Sequence, residues 1–308
     1  MESCFYEIDE ILNEAIITGV PALIVEGIDD ISVYDNLAPD VEFNYEVYSI
    51  DNIDGFGEGC DHVIRAIEEL NSLNCETHRL DEHILAIIDK DVRDFRLELP
   101  ELEPILVLNY YSIESHFVAK EIVQRILSIC CKANRVLITD ELCKKVMDEV
   151  SNKLLDLYYF SLEALKKALE PEYESCFSYS YNYGRTKDPK IRRELANKKE
   201  ALDLFANEKD LTNSLETLKR ITKGKWLLDL FAIELLKAIN NLQSKCHDNE
   251  ISNCKPCKTG AYDKCLYRIN DGYTNKSLKS LALSQPYFED LTYIVDRIKQ
   301  IKKSCLQS

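Results

Sequence analysis

Long apolar runs are missing from this chain of 308 residues, and none approaches the ~20 residues that a membrane-spanning helix needs. The opening segment MESCFYEIDEILNEA is acidic and amphipathic, which is not the pattern of a secretion signal. A Walker A motif is also missing, so any ATP-driven step has to come from another chain. These absences argue against a membrane protein and predict a cytoplasmic location.

Cysteine, in contrast, is abundant. The 12 cysteines, without a secretion signal, argue for thiols in a reducing cytoplasm rather than for a disulfide framework. A hydrophobic content of 45% is enough for a substantial core, and the length suits one large or two ordinary domains.

Charge is divided unevenly along the chain. Residues 1–120 carry 28 acidic and 6 basic side chains, whereas residues 121–308 carry 26 acidic and 32 basic ones. The acidic part is either a solvated surface or a cation site. The more basic part suits contact with a polyanion or with an acidic partner.

Four apolar segments of the first part have the character of strands. They are ALIV at 22–25, the stretch 43–50, the stretch 83–89 and ILVL at 105–108. Helical patterns lie between and after them, over 29–37, 60–70 and 114–129. This alternation predicts an α/β fold with a mostly parallel sheet and flanking helices, whose ligand site lies beyond the carboxyl ends of the strands.

The pattern changes near residue 121. Helical periodicity covers 191–220, 226–243 and 287–303, and no convincing strand follows the fourth one. We therefore predict two domains, with an α/β catalytic domain at 1–120 and a mainly α-helical domain at 121–308.

Acidic side chains follow the predicted strands where those strands end. Glu26 comes directly after the first strand, and Asp89 and Asp91 follow the third as Asp-x-Asp. In extended backbone, residues two apart project to the same side, so both aspartates can face one cation. Carboxylates at one sheet edge suit Mg²⁺ or Mn²⁺, which stabilise the attacking and leaving oxygens in phosphodiester cleavage. Glu114 and His116 follow the fourth strand and can reach the same edge; the alternative is that these acids cap helices and solvate loops.

The segments LIVEGIDD and ILAIIDKD resemble the TOPRIM domain of topoisomerases, primases and OLD-like nucleases. That domain has a glutamate after its first strand and Asp-x-Asp after its third. NYYSIESHF resembles the Tyr-Ser-Ile-Glu signature of a smaller TOPRIM branch found in phage-defence loci. In length, in its helical second half and in the glutamate at position 26, the chain is similar to the TOPRIM effector nuclease of the PARIS anti-phage system.

This resemblance implies a metal-dependent endoribonuclease, a toxin of abortive infection that an ABC-type ATPase partner holds inactive until a phage protein is sensed. It also implies that the released effector forms a homodimer and cleaves host tRNA. Transferred by position, the family roles make Glu26 the metal-binding or general acid/base glutamate, and Asp89 and Asp91 the aspartates that bind Mg²⁺. Glu114 matches the extra acid of the branch and is assigned as catalytic.

The chain departs from the family in its glycine-rich loop. OLD-like TOPRIM nucleases usually carry a lysine there, whereas DGFGEGCDH has Gly55, Gly57 and Gly59 but Glu58 where a cation is expected. Lys90, between the aspartates, is another source of positive charge, although its side chain should point to the opposite side. The glycines either let backbone N–H groups approach a phosphate or only form a strand-to-helix loop.

Four cysteines of the second part lie close together in sequence. Cys246, Cys254, Cys257 and Cys265 are spaced C-x7-C-x2-C-x7-C around a Cys-Lys-Pro-Cys knuckle. This pattern is typical of a structural Zn²⁺ site, in which His247 is an alternative ligand to Cys246. The competing interpretation is a set of free cysteines in a surface loop.

The most basic and aromatic stretch is 179–199. Its candidates for nucleic-acid binding are Arg185, Lys187, Lys190, Arg192 and Arg193, beside Tyr179, Tyr181 and Tyr183. Basic groups bind phosphates and aromatic rings stack on unpaired bases, so the mixture suits RNA loops. The alternatives are a solvated helix face and a docking site for an acidic partner.

The leading hypothesis is therefore a Mg²⁺- or Mn²⁺-dependent TOPRIM ribonuclease that cleaves tRNA as the toxic effector of an anti-phage system and carries a structural Zn²⁺. A DNA nuclease or nickase with the same metal site is the enzymatic alternative. A third hypothesis, from a different class, is a non-catalytic TOPRIM-like module that regulates an ATPase.

Overall fold

The structure is a computed structural model that describes residues 6–41, 43–73, 78–285 and 288–305, with side chains described as far as residue 301. Its strands are β1 (Ala22–Val25), β2 (Glu46–Ser49), β3 (Ile84–Ile88) and β4 (Ile105–Val107). Its helices are α1 (Ile8–Thr18), α2 (Ile28–Asp35), α3 (Cys60–Ser72), α4 (Arg93–Arg96), α5 (Ile113–His116), α6 (Lys120–Cys130), α7 (Asp140–Leu154), α8 (Tyr158–Leu169), α9 (Pro189–Glu208), α10 (Leu215–Ile221), α11 (Gly224–His247), α12 (Lys255–Lys258), α13 (Asn275–Leu283) and α14 (Thr292–Cys305).

The four strands form one sheet in the order β2-β1-β3-β4, and every pairing is parallel. All residues of the two central strands, β1 and β3, are buried. This burial explains their continuous apolar sequence, because a parallel sheet is covered on both faces. The predicted α/β fold and its parallel sheet are confirmed, and the carboxyl ends of the strands share one edge.

Each face of the sheet has its own covering helices. Alternate residues of the central strands, such as Ile24 and Ala86, belong to a buried cluster with apolar residues of α1 and α3. Helix α2 packs against β1 and β2, and α14 packs against β3. The residues of α14 that become buried include Ile294 and Ile298.

The chain forms two compact units. The first unit contains residues 1–113 and 284–308, and the second unit contains residues 114–283. This division differs from the predicted domains 1–120 and 121–308, because α14 covers the sheet of the first unit instead of joining the second. The predicted helix at 287–303 corresponds to α14, and residue 287 lies outside the described residues.

The regular structure described in the second unit is helical. Helix α11 packs against α7 and α13, α8 packs against α9, and α6 packs against α7. Trp226, in the first turn of α11, is 1% exposed and lies 4.9 Å from the ring of Phe177, so it packs in the core of this unit. The predicted helices at 114–129 and 191–220 each divide into two, α5 with α6 and α9 with α10.

No helix among the described residues has the length and apolar content needed to span a bilayer.

Candidate functional site

Glu26 joins the ends of the two central strands. It follows β1 directly, and its Oε1 accepts a hydrogen bond of 2.7 Å from the backbone N–H of Asp89, which follows β3. Because β1 and β3 are parallel neighbours, their carboxyl ends bring these two acids together as the strand pattern predicts. The carboxylate of Glu26 is thus held at the edge where an open α/β sheet binds its ligands.

The Asp-x-Asp segment is fixed by the turn that follows β4. The N–H of Asp91 donates to the carbonyl oxygen of Tyr111 over 2.9 Å, and the N–H of Ile113 donates to Oδ1 of Asp89 over 3.1 Å. The prediction that residues 89–91 are extended is wrong, since Asp91 has a φ of 47° in the left-handed region. The two aspartates are therefore oriented by this pair of hydrogen bonds rather than by strand geometry.

The electrostatic setting of Glu26 favours a bound proton or a cation. The pKa of Glu26 is raised to about 8, mainly by burial and also by the charges of Asp91 and Asp30, although the N–H of Asp89 opposes the shift. Arg93 lowers the pKa, but less than the acids and burial raise it. Sequence reasoning missed Asp30 and Arg93, because their proximity to Glu26 depends on how α2 and α4 pack.

Two tyrosines border the acids. Tyr34 of α2 is 2% exposed, and its pKa is raised well above the usual value by burial and by the charges of Asp30 and Asp89. Tyr293 of α14 accepts a hydrogen bond of 3.0 Å from the N–H of Asn109, and burial raises its pKa, as does the charge of Asp89. Both phenols are therefore neutral at physiological pH and can donate hydrogen bonds, and neither is marked by a local sequence motif.

The glycine-rich loop leads from β2 into α3 and contacts the end of β1. Gly59 has a φ of 107°, precedes α3 and donates its N–H to the carbonyl oxygen of Glu26 over 3.2 Å. This conformation requires glycine. A Cβ on Gly27 would lie 3.6 Å from Oε1 of Glu58, so the carboxylate of Glu58 lies beside Gly27. Lys90 lies 3.5 Å from Asp94 and pairs with that carboxylate.

The acidic side chains are chemically suited to a hard divalent cation. Their oxygen atoms, however, do not converge on one cation position. Carboxylate oxygens are the ligands that Mg²⁺ and Mn²⁺ prefer, and a cation would stabilise the buried carboxylate of Glu26 and offset the repulsion from Asp91 and Asp30. Within the described ranges, however, the cysteines form the only group of three or more metal-ligating side chains whose ligand atoms all lie within 4.8 Å of one another. Glu26, Asp89 and Asp91 would therefore have to change their side-chain positions to share one ion.

The first prediction concerns stability against pH. The pKa of Glu26 is about 8 in the folded chain and near 4.5 when unfolded, so the folded state holds the extra proton and loses stability as pH rises between those values. We expect Glu26→Gln, measured without divalent cations, to be more stable than the wild type at pH 8.5 by about 2–4 kcal/mol, and to equal it near pH 4.

The measurement is urea denaturation of both proteins from pH 4 to 9. Glu69→Gln is the control, because it removes a carboxyl from the exposed face of α3. Parallel stability curves for Glu26→Gln and the wild type would contradict the raised pKa.

Glu114 and His116, the two site residues predicted after β4, have different degrees of burial. Glu114 is the first residue of the second unit and is half-buried in α5, and its catalytic role stays a prediction. His116 is fully buried, which argues against a metal ligand at an open edge.

The four cysteines form a compact, buried cluster. The sulfur atoms of Cys246, Cys254, Cys257 and Cys265 all lie within 4.8 Å of one another. The Sγ atoms of Cys254 and Cys265 are 3.8 Å apart, which matches the separation of about 3.8 Å expected when two thiolates bind Zn²⁺ tetrahedrally at about 2.3 Å. The spacing-based prediction of a site that can hold Zn²⁺ is supported by this geometry.

Backbone donors prepare the cluster for metal binding. Burial alone would raise the pKa of Cys254, but the N–H groups of Leu266 and Cys257, together with the thiols of Cys257 and Cys246, outweigh it and lower the pKa to about 7. The N–H of Cys254 in turn points to Sγ of Cys246 over 3.4 Å. His247 is not a ligand, because its Nδ1 lies 3.1 Å from a carboxylate oxygen of Asp248, outside the cluster.

The cluster holds separate helices of the second unit together. Cys246 belongs to the last turn of α11, and Cys257 lies in α12. Tyr267, just after the cluster, places its hydroxyl 3.2 Å from the carbonyl oxygen of Leu137, and Asn270 donates its N–H to Cys130 at the end of α6 over 2.8 Å. A metal here would therefore hold the end of α11, helix α12 and the segment that contacts the end of α6 together.

The predicted nucleic-acid-binding residues lie on one continuous segment of the second unit. The 3-10 helix Tyr183–Lys187 and the first turns of α9 carry Arg185, Lys187, Lys190, Arg192 and Arg193, and all five are exposed. We call them the basic surface. Two of them are anchored: Arg185 lies 3.3 Å from Asp188, and Nε of Arg192 donates to the carbonyl oxygen of Thr186 over 2.7 Å.

The aromatic residues of this stretch are less available than the sequence suggests. Tyr179 stacks on Trp226 with centroids 5.6 Å apart, and its hydroxyl donates to the carbonyl oxygen of Ile221 over 2.6 Å. Its ring therefore contributes to the core and has no free face for a base on that side. Tyr181 is 37% exposed and remains accessible. Lys198 is also engaged, since it pairs with the buried Glu163 at 2.8 Å.

Comparison with known proteins adds no assignment to this geometry. No protein-family model matches the sequence, and no curated protein matches it significantly.

Proposed function

We propose that the chain is a metal-dependent nuclease of the TOPRIM type, an endoribonuclease that cleaves tRNA as the toxic effector of an anti-phage system. One observation carries the proposal: Glu26 and the Asp89–Asp91 segment meet at the carboxyl edge of a four-stranded parallel sheet. The resemblance of LIVEGIDD and ILAIIDKD to TOPRIM sequences points to the same residues.

The chemistry of the edge suits phosphodiester hydrolysis. Glu26, Asp89 and Asp91 are the residues that would hold Mg²⁺ or Mn²⁺. When bound, such a cation supplies stabilisation of negative charge on the attacking and leaving oxygens. Without a cation the pKa of Glu26 is about 8, so binding of a divalent cation near neutral pH would displace the proton of this carboxyl. Tyr34 and Tyr293, both neutral, line the same group of acids.

Substrate binding needs positive charge from outside this edge, because the first 120 residues carry an excess of 22 acidic side chains. We assign that role to the basic surface, whose five exposed cations can contact successive phosphates. An ABC-type ATPase restrains the nuclease in this proposal, as the resemblance to the PARIS effector implies, and supplies any ATP-driven step, since the chain itself has no Walker A motif. A homodimer of the released chain is its active form.

The second prediction tests this function directly. Purified protein with Mg²⁺ should cut tRNA at defined positions and leave supercoiled plasmid intact, and EDTA should stop the reaction. Gel analysis of both substrates and sequencing of the RNA ends measure the outcome. Nicked plasmid with intact tRNA would instead favour the DNA nuclease.

The non-catalytic module makes a different prediction in the same assay. A folded, Mg²⁺-supplied chain that cuts neither nucleic acid but binds an ATPase without metal would contradict the nuclease proposal. Zinc content has to be checked in the same preparation, so that loss of the second unit is not mistaken for lack of activity.

A further inference from the structure

One cation lies among the acids of the candidate site. The guanidinium of Arg93, at the start of α4, acts electrostatically on Glu26, Asp91 and Cys60. Its side chain is only 18% exposed. A half-buried guanidinium in this position brings positive charge to the place where a substrate phosphate has to approach carboxylates.

The hydrogen bonds of Arg93 are incomplete. A guanidinium has five N–H groups in a planar fork. One terminal nitrogen donates to Oδ1 of Asp61 over 2.7 Å, whereas Nε is buried and has no partner among the described residues. Buried donors in folded proteins almost always have an acceptor, often an ordered water, so Nε is a donor that the described protein groups leave unused.

The present partner of Arg93 is suited to being replaced. Asp61 lies in the first turn of α3, and its side chain is 85% exposed. Exposed ion pairs contribute little to stability, because water solvates both charges well. A phosphate presents the same charged oxygens as a carboxylate and can accept two parallel hydrogen bonds from one guanidinium.

The neighbouring lysine cannot take this role in the same way. Lys90 pairs with Asp94 one helical turn further along the chain. Arg96, on the same short helix as Arg93, pairs with Glu98 at 3.8 Å and has a side chain that is 39% exposed.

We propose that Arg93 binds a phosphate group of the substrate beside Glu26, and that Asp61 occupies the place of this phosphate when the site is empty. The inference rests on the proposed nuclease function and names a phosphate-binding residue for it. Binding requires Arg93 to exchange the carboxylate oxygen of Asp61 for phosphate oxygens. The positive charge of Arg93 then offsets repulsion between the substrate phosphate and the acidic side chains. One divalent cation alone would not neutralise all of that repulsion.

The test is a third prediction and uses AMP, a single nucleotide phosphate, as the probe in the presence of Mg²⁺. Isothermal titration calorimetry compares the wild type with Arg93→Gln, Arg93→Lys and the control Arg96→Gln. We expect Arg93→Gln to bind AMP at least tenfold more weakly than the wild type, Arg93→Lys to be intermediate, and Arg96→Gln to be unchanged. The Mg²⁺ affinity of Arg93→Gln should not fall, because a positive charge has been removed beside carboxylates.

Equal AMP affinity in the wild type and Arg93→Gln, or no AMP binding by the wild type, overturns the assignment. If Arg93→Gln loses its fold or its Mg²⁺, the charge-preserving variant decides: Arg93→Lys binding AMP no better than Arg93→Gln also overturns it. A different result would contradict the nuclease proposal. Arg93-dependent AMP binding without cleavage of RNA or plasmid would support the phosphate site and contradict the nuclease function.

Discussion

Glu26→Gln and Asp89→Asn should each reduce cleavage by about 10²–10⁴-fold while the chain stays folded. Both substitutions keep an oxygen where the hydrogen bonds need one. The glutamine can still accept from the N–H of Asp89, and the asparagine from the N–H of Ile113. The loss would therefore come from the missing charge and proton-accepting capacity rather than from a broken fold.

Cleavage rates with Mg²⁺ and thermal melting curves measure the two parts of this prediction. Glu101→Gln is the control, because it removes an exposed carboxyl just before β4, at the opposite end of that strand. Wild-type rates in both site variants would reject the assignment. Unfolding of both variants would mean that the acids are structural.

Loss of zinc should strongly destabilise the second unit, which contains the four cysteines. Elemental analysis of purified protein should give about one zinc per chain, and Cys257→Ser should lower that content. The binding energy of structural zinc is part of the folding energy, so the melting temperature should fall by roughly 10 °C or more. A chelator should have a similar effect on the wild type.

Cys143→Ser is the matched control for this experiment. Cys143 is buried in α7 of the same unit but lies outside the cluster, so its substitution should leave the zinc content unchanged. A stable, fully folded preparation without metal would rule out the zinc site.

The sequence predicted the sheet well because its signals are local. The four-residue run of β1 and the five-residue run of β3 are apolar throughout, which indicates strands buried on both faces. The cysteine cluster was predictable for the same reason, since its four ligands lie within twenty residues.

Interactions that depend on tertiary packing were not predictable. Asp91 departs from extended backbone because its N–H is taken by the carbonyl of Tyr111, which follows a different strand. Arg93 has no motif that distinguishes it from Arg96, and only the packing of α4 against α3 brings it to Asp61. The assignment of α14 to the first unit also depends on its contact with β3 rather than on its helical periodicity.

The discontinuous first unit has a consequence for how the protein is made. The hydrogen bond between Asn109 and Tyr293 joins residues that are 184 positions apart. At a translation speed of roughly 5–20 residues per second, on the order of ten to forty seconds pass between the synthesis of β4 and that of α14. During that time the sheet has no α14 to cover β3, and the tyrosine beside Asp89 is absent. A nascent chain therefore completes its acidic edge only after the whole second unit has left the ribosome, which delays the toxic activity proposed for it until that unit has been made.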